Sequence, residues 1–314
     1  MRAADTSGAT PPEVSVVIRT RDEEEHLPRL LDALATQTLR PREVLVVDSG
    51  SADRTVIIAK QHHARVLEIA PESFTFGRAL NLGFREASGD FVVAASAHVY
   101  PERRDWLERL VQPLEADPKV ALSYGRQQGD ERSHYSEFEL MRRWFPLVSN
   151  ADQTHPFCNN ANCAVRREVW EQLPYDEDLT GLEDLDWAKR AMSRGWKIAY
   201  AADAPIVHIH EESFGVTVRR YRREAQAYRR VFDSERLSIL EAVALFAVNV
   251  GRDYLAAARR GVLASNIIAV PRFRLAQFWG AYTGFRVETV LRARLKRRYY
   301  YPRGFDSWAV KGQQ

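Results

Sequence analysis

The chain has only two cysteines in 314 residues, Cys158 and Cys163, which excludes a disulfide framework and a four-thiolate zinc site. No apolar run is long enough to cross a bilayer: the strictly apolar stretch from Ala242 to Val248 falls far short of the roughly 20 residues a spanning helix needs. The opening twelve residues lack the hydrophobic core of a secretion signal, so 1–12 read as a flexible tail. The first strand-like run leads into Arg19-Thr20-Arg21-Asp22-Glu23 and not into G-x-G-x-x-G, which argues against a dinucleotide-dependent oxidoreductase. Low-complexity composition is absent too, since 45% hydrophobic and 28% charged residues are those of an ordinary globular protein. These absences point to a chain of a reducing compartment, expected in the cytoplasm.

What is present begins with a charge asymmetry beneath a net charge of +3. Residues 1–216 hold 25 Lys and Arg against 35 Asp and Glu, whereas residues 217–314 hold 20 against 7. An acidic body with a basic tail suggests contact with an anionic surface. The expected partner is the inner membrane face, held peripherally, and no nucleic acid is expected. Arg219, Arg220, Arg222 and Arg223, interleaved with Tyr221 and Tyr228, fit an amphipathic helix lying on anionic lipid. They fit an ordinary packed helix with snorkelling arginines equally well. Homo-oligomerisation through the same helices is a third reading.

Strand and helix signals alternate. Val14 to Ile18 is β-branched, and Leu27, Leu30, Leu31 and Leu34 follow at helical spacing with Pro28 in the first turn. Val44 to Val47, the turn Asp48-Ser49-Gly50-Ser51 and the helix Thr55 to Lys60 form a second unit, with a third strand over Arg65 to Ile69. Arg78 to Ala87 is helical and Phe91 to Ala95 reads as a buried strand. The pattern predicts an α/β doubly wound, mostly parallel (Rossmann-like) sheet with ligands at the carboxyl ends of its strands. From Thr217 onward it changes to long helices over Val218 to Val231, Leu237 to Arg260 and Arg274 to Arg298, with a break around Pro271.

Five ordered segments then carry a resemblance: Val16-Val17-Ile18-Arg19-Thr20-Arg21-Asp22-Glu23; Val46-Val47-Asp48-Ser49-Gly50-Ser51; Phe76-Gly77-Arg78 with Asn81 and Gly83; Ser96-Ala97-His98; and Gly181-Leu182-Glu183-Asp184-Leu185-Asp186-Trp187. In order and spacing they resemble the inverting nucleotide-sugar glycosyltransferases of family two, and among these the bacterial rhamnosyltransferase-like enzymes. The resemblance implies a GT-A fold over 13–216, with 217–314 as a basic helical C-terminal extension. It implies inverting transfer of a sugar from a UDP- or dTDP-sugar to a glycan or lipid-linked acceptor in cell-surface polysaccharide synthesis. A catalytically degenerate transferase fold, serving as a glycan-binding or scaffold protein, is the alternative.

At the donor, the resemblance implies that Asp48 accepts the imide proton of the base, with Thr20 and Arg21 lining it. Asp48 also suits a turn in which it bonds its own loop amides. Glu23 either caps the following helix or holds the ribose. Arg78 and Asn81 could reach phosphate or ribose, or lie on a solvated helix face, and the glycines beside them suggest close backbone approach.

Where most relatives carry Asp-x-Asp, this chain has Ser96-Ala97-His98. Ser96 and Ala97 are expected near the donor, and His98 at a divalent cation, Mn²⁺ or Mg²⁺. Alternate spacing on a strand points His208 and His210 to one face, and the resemblance implies a metal-binding histidine there. Local hydrogen bonding of His98, with arginines neutralising the diphosphate, is the metal-free alternative.

For catalysis, the resemblance assigns the base to Asp184 of the Glu183-Asp184 pair, whose crowding raises carboxylate pKa values. Acidic residues at a helix start are also the plain capping pattern. On the acceptor side the resemblance implies Asn162 and Trp187, for which turn formation and core packing are the other readings. Gly125-Arg126-Gln127 looks like the same relatives but has no assigned role. The two cysteines read as inert packing.

Overall fold

Val14, Val16, Val17 and Ile18 give β1 (Val14–Thr20) the β-branched character of a strand buried on both faces, and all four are fully buried. In the computed structural model, which describes residues 12–233 and 236–286, β1 pairs in parallel with β2 (Glu43–Asp48) and β4 (Phe91–Ser96), and β2 pairs in parallel with β3 (Arg65–Glu68). The tail expected over 1–12 lies almost wholly outside the described residues. Four further strands are β5 (Val99–Pro101), β6 (Val120–Gln128), β7 (Asn162–Arg166) and β8 (Lys197–His208). They complete one eight-stranded sheet in the order β3-β2-β1-β4-β7-β6-β8-β5. β7 runs antiparallel to both neighbours and β5 antiparallel to β8, while β6 and β8 are parallel, so the sheet is mixed but mostly parallel as the alternation predicted.

Helices cover both faces. On one, α1 (Leu27–Ala35), α2 (Thr55–Gln61) and α4 (Trp106–Ala116) bury Leu27, Leu30, Leu34, Trp106 and Leu110 against Val16, Ile18 and Val93. On the other, α3 (Phe76–Glu86), α5 (Tyr135–Trp144), α6 (Arg167–Gln172) and α7 (Glu183–Met192) bury Leu80, Phe84, Met141, Trp170 and Trp187 against Val17, Val47 and Val92. Phe84, Trp106 and Trp187 are fully buried, and truncating a side chain of that size to Ala costs about 3–5 kcal/mol. The β1/β4 register sets Arg19 beside Ser96, so the carboxyl ends of the central strands finish side by side.

The C-terminal helices are α8 (Phe214–Val231), α9 (Ile239–Arg259), α10 (Leu263–Asn266) and α11 (Ala269–Phe285). Pro271 was expected to break the pattern but sits in the first turn of α11, where a backbone N–H has no intrahelical partner to lose. The chain breaks instead on either side of α10. The part of the expected last helix beyond residue 286 lies outside the described residues. The expectation of a lipid-facing α8 is corrected: Tyr221, Ala225 and Ala227 are buried and α8 packs along α11. Its arginines follow the packed-helix reading, and Arg220 is ion-paired to Glu137 and Glu212.

Two devices fasten these helices down. Arg274 of α11 is fully buried and makes a bidentate pair with Asp253 of α9, at 2.7 and 2.9 Å, while also donating to the Ser136 carbonyl of α5. Removing one partner of such a pair leaves a buried charge uncompensated. Gly280 lets α11 approach α8 so closely that a Cβ there would stand 2.5 Å from the Val218 carbonyl oxygen. Gly280→Val is therefore expected to destabilise the fold by about 1–3 kcal/mol, the cost of overpacking, read as a lower urea midpoint.

Candidate functional site

β4 ends at Ser96 and the chain turns through Ala97 to His98; β8 ends at His208, with His210 two residues on. The antiparallel pairing of β5 with β8 sets Val99 opposite His208, and the Ile209 N–H donates to the His98 carbonyl at 3.2 Å. Three imidazoles thereby meet, their candidate ligand atoms all within 4.8 Å of one another. Ring centroids of His208 and His210 lie 4.1 Å apart, and His98 stacks on His208 at 5.1 Å.

Each ring is held at Nδ1. His98 Nδ1 lies 2.7 Å from Glu23 Oε1, His208 Nδ1 is 2.8 Å from Gln127 Oε1, and His210 Nδ1 is 2.8 Å from Glu137 Oε1. A carboxylate or amide oxygen accepts from Nδ1–H, which turns the Nε2 lone pair of that ring to the other side. His208 Nε2 is buried with no hydrogen-bond partner. Burial, then the electrostatic influence of His210 and His98 beside it, holds the His208 pKa well below its ordinary value, so this imidazole is neutral. Imidazoles oriented by oxygen acceptors, with an unsatisfied Nε2 among them, fit a divalent cation of borderline softness.

Glu137, which holds His210, is nearly fully buried. Burial raises its pKa, but Arg220 and His210 outweigh that and bring it well below the usual carboxylate range, so it stays ionised. Arg220 Nη2 donates to the same Glu137 Oε1 that holds His210, at 2.7 Å.

The acid pair opens α7. Leu182, immediately before it, is in the left-handed region at φ 55°, a conformation that costs a bulky residue about 1–3 kcal/mol and is typical of functional sites. Glu183 Oε1 accepts from Arg19 Nη1 and from Asn160 Nδ2, both at 3.2 Å. Asp184 accepts from the Asn160 N–H at 3.2 Å and the Leu185 N–H at 2.8 Å. Burial, then the neighbouring Glu183 charge, lifts the Asp184 pKa toward neutrality, and those hydrogen bonds and Arg19 moderate the rise. Arg19 connects the two clusters: it pairs with Glu183 and its charge acts on His208. Its guanidinium lies over one Phe76 ring contact at 4.9 Å, and Arg223 of α8 lies over the same ring at 4.9 Å. Nε of both arginines is buried without a hydrogen-bond partner, as is the hydroxyl of Thr20.

The residues singled out from sequence separate into two groups. His98, His208, His210, Glu183 and Asp184 lie at the strand ends around Arg19. Ser96 sits half-buried beside Arg19, Ala97 is buried at the turn to His98, and Arg21 is partly exposed beside Asp22. Glu23 does not cap α1 with its side chain, and its Oε1 lies on His98 Nδ1.

Five of the candidate residues are engaged by partners within the protein. Asp48 is buried and its Oδ2 accepts the Gly50 and Ser51 amides, each at 3.0 Å, with Oδ1 on the Ser51 hydroxyl, so it builds its own turn. Asn81 is saturated: it donates to the Tyr175 carbonyl and Glu177, and accepts from Trp170 Nε1 and the Tyr175 N–H. Arg78 is engaged by Glu177 and the Ser73 carbonyl. Nearby Gly83 faces Val17 of the sheet, so close approach there is helix to strand and not backbone to ligand. Asn162 is fully buried, accepting from Trp106 Nε1 and donating to the Arg126 and Ala204 carbonyls. Trp187 is fully buried in the core and donates to the Leu173 carbonyl. Both cysteines are buried free thiols, pushed up by burial, in keeping with inert packing.

Sequence reasoning missed Gln127, Glu137 and Asn160 as holders of the site, and Arg19 and Arg223 as its cations. Gln127 and Glu137 reach histidines 81 and 73 residues away, so no local spacing announces them. Arg19 had a signal, a cation at the end of an otherwise apolar central strand.

Comparison with known proteins gives a consistent result. A family model described as Glycosyl transferase family 2 matches residues 15–173. The O-antigen chain rhamnosyltransferase RfbN of Salmonella typhimurium is 26% identical over 221 residues, which span 66% of this chain and 70% of that protein. The O-antigen chain rhamnosyltransferase WbaN of Salmonella anatum is 30% identical over 200 residues, 60% of this chain and 63% of that one. Among solved structures, the mannosyltransferase PcManGT from Pyrobaculum calidifontis, in complex with GDP-Man and Mn²⁺, superposes with a TM-score of 0.61 at 21% identity, covering 96% of this chain and 92% of that one. At that identity the likeness shows a shared GT-A fold.

Proposed function

This chain belongs to glycosyl transferase family 2 and is a glycosyltransferase that moves a sugar from a nucleotide sugar; from that premise we propose that it inverts the anomeric centre, with Asp184 as the base. The donor of this reading is a dTDP- or UDP-sugar, the former favoured by the two rhamnosyltransferase relatives, and the acceptor is a glycan or a lipid-linked glycan of surface polysaccharide synthesis. The observation that carries it is a carboxylate of raised pKa joined, through Arg19, to a cluster of three oriented imidazoles.

In this mechanism the acceptor hydroxyl gives its proton to Asp184 as its oxygen bonds to the anomeric carbon, and the bond from that carbon to the diphosphate breaks on the opposite face. Glu183 stays paired with Arg19, and Asn160 positions both carboxylates. Arg19 and Arg223, each with a buried unsatisfied Nε, supply donors to the diphosphate. A divalent ion, Mn²⁺ or Mg²⁺, held by Nε2 of His98, His208 and His210 would neutralise charge on the departing nucleotide diphosphate. The all-imidazole ligand set favours Mn²⁺ of the two.

Asp184→Asn is expected to lower kcat by about 10²- to 10⁴-fold with donor affinity by calorimetry unchanged; turnover at the normal rate would remove Asp184 from the mechanism. The same variant is expected to raise Tm. A carboxylate whose folded pKa exceeds its unfolded one withdraws stability as pH rises between the two values, and an amide carries no such penalty. Activity of the unaltered chain is expected to rise with pH as Asp184 loses its proton, along a limb displaced upward from the ordinary carboxylate range. A limb lying within that range would contradict the assignment. Gln127→Leu removes only the acceptor at His208 Nδ1 and is expected to weaken Mn²⁺ binding by about 10- to 100-fold, measured as free ion by electron paramagnetic resonance. Equal Mn²⁺ affinity in both proteins would show that His208 is not a ligand.

A further inference from the structure

The helices that follow the site carry an apolar face that the described residues leave exposed. In the first two thirds of α9, from Ile239 to Arg252, Ala242 is the sole buried residue, and Leu240 is 79% exposed. Val243, Val248 and Leu255 continue the exposed surface along α9. Ile268, 76% exposed, and then Leu275 and Trp279 extend it along α11 at helical spacing. A third piece comes from the chain just after α5, where Trp144 is half-exposed and Leu147 is 77% exposed. Arg143 ties that piece to α9 by donating to Asn249 and Asp253 at 3.3 and 3.2 Å. Exposed apolar side chains gathered on neighbouring elements mark an interaction site.

Its charges say what kind. Between residues 239 and 286 the sequence has two acidic residues, Glu241 and Asp253. Glu241 is engaged in the capping box with Ser238, and Asp253 is buried against Arg274. Arg252, Arg259 and Arg272 are exposed on the same helices. Exposed leucine, valine and isoleucine, bordered by arginines and by two half-exposed tryptophans, match the composition of a helix surface seated at the headgroup level of an anionic bilayer. Among the described residues no helix is long and apolar enough to cross a membrane, so such a surface lies on the bilayer and does not span it. The apolar side chains also lie on more than one side of the first two thirds of α9. Fluid acyl chains cover such a helix all round, where a second copy would cover one side.

We infer that α9, α11 and the Trp144–Val148 corner form the surface by which this chain sits on anionic phospholipid. The seat is distinct from α8, whose arginine stripe is packed inward. It also has a consequence for the reaction, which rests on the reading of Asp184 as the base. The loop that begins at Trp144 packs Phe157 against that ring at 6.0 Å and runs on to Asn160, whose N–H donates to Asp184. The acid pair is therefore joined to the membrane seat by the segment from Trp144 to Asn160, which suits an acceptor anchored in lipid.

Flotation of the full chain with phosphatidylcholine vesicles, with and without phosphatidylglycerol, tests the seat. The chain is expected to float with the anionic vesicles and to stay in solution with phosphatidylcholine alone. Leu240→Glu with Val243→Glu, and separately Arg252→Glu, are each expected to reduce partitioning by about tenfold or more, with Tm and donor affinity unchanged. No flotation on anionic vesicles overturns the inference. So does a dimer, seen by light scattering, that Leu240→Glu dissolves, because the face is then covered by a second copy. Donor affinity is measured in the same proteins, so failure of the membrane seat and failure of the transferase reading give different results.

Discussion

Three imidazoles can share one small volume only if each is turned the same way, and the orientation has to come from outside the rings. The structure supplies it through three oxygen acceptors on three different elements: Glu23 after β1, Gln127 on β6 and Glu137 on α5. Every one accepts from Nδ1, which leaves Nε2 as the nitrogen each ring offers a ligand. The sheet order makes this feasible, because pairing β5 back onto β8 returns the chain from His98 to His208 across the strand ends. Without the tethers, burial would leave a cluster of polar rings with unmet hydrogen bonds, each costing about 1–3 kcal/mol.

The acid pair solves the opposite problem, keeping two adjacent carboxylates in a site with limited water. Glu183 is given a guanidinium and an amide, which stabilise its charge. Asp184 is given only backbone N–H donors and sits beside that charge, so its proton is held more tightly. Neighbouring residues of one type are thus driven toward different chemical behaviour by their surroundings. The left-handed Leu182 and the strained proton affinity of Asp184 both lower stability locally, and the well-packed core around Trp187 and Tyr175 immediately behind them absorbs that cost.

How much of this could be read from sequence depended on whether the relevant partner was local. β-branched runs and leucine spacing gave the strands and helices of the first half, since period and burial are properties of neighbours. The residue types of the ordered segments pointed to the right region, and the alternate spacing of His208 and His210 correctly put them on one side. The segments also contain residues whose work is architectural. Asp48 makes the turn that Asp commonly makes before Ser and Gly, and a one-letter sequence looks the same whether a base or two amides face it. Asn81 and Asn162 look like ligand-binding amides but are buried and filled on both ends by main chain and tryptophan, a fact that only tertiary contact reveals. The arginine stripe on α8 was ambiguous because a packed basic helix and a lipid-facing one share a composition; Gly280 and Gly284 on α11 decide it by admitting close approach.

Glu137 shows why the C-terminal helices are more than an appendage. Its Oε1 accepts from His210 on one side and from Arg220 of α8 on the other, and Arg220 in turn holds Glu212. Withdrawing α8 would strip a buried carboxylate of its guanidinium, its proton affinity would rise, and a protonated Glu137 could no longer serve as a full acceptor for His210. His210 is therefore held through a carboxylate that α8 itself holds. α8 is docked by α11, which is locked to α9 by the Arg274–Asp253 pair. The helices that present the apolar face thus hold α8, whose Arg220 pairs with the carboxylate on His210.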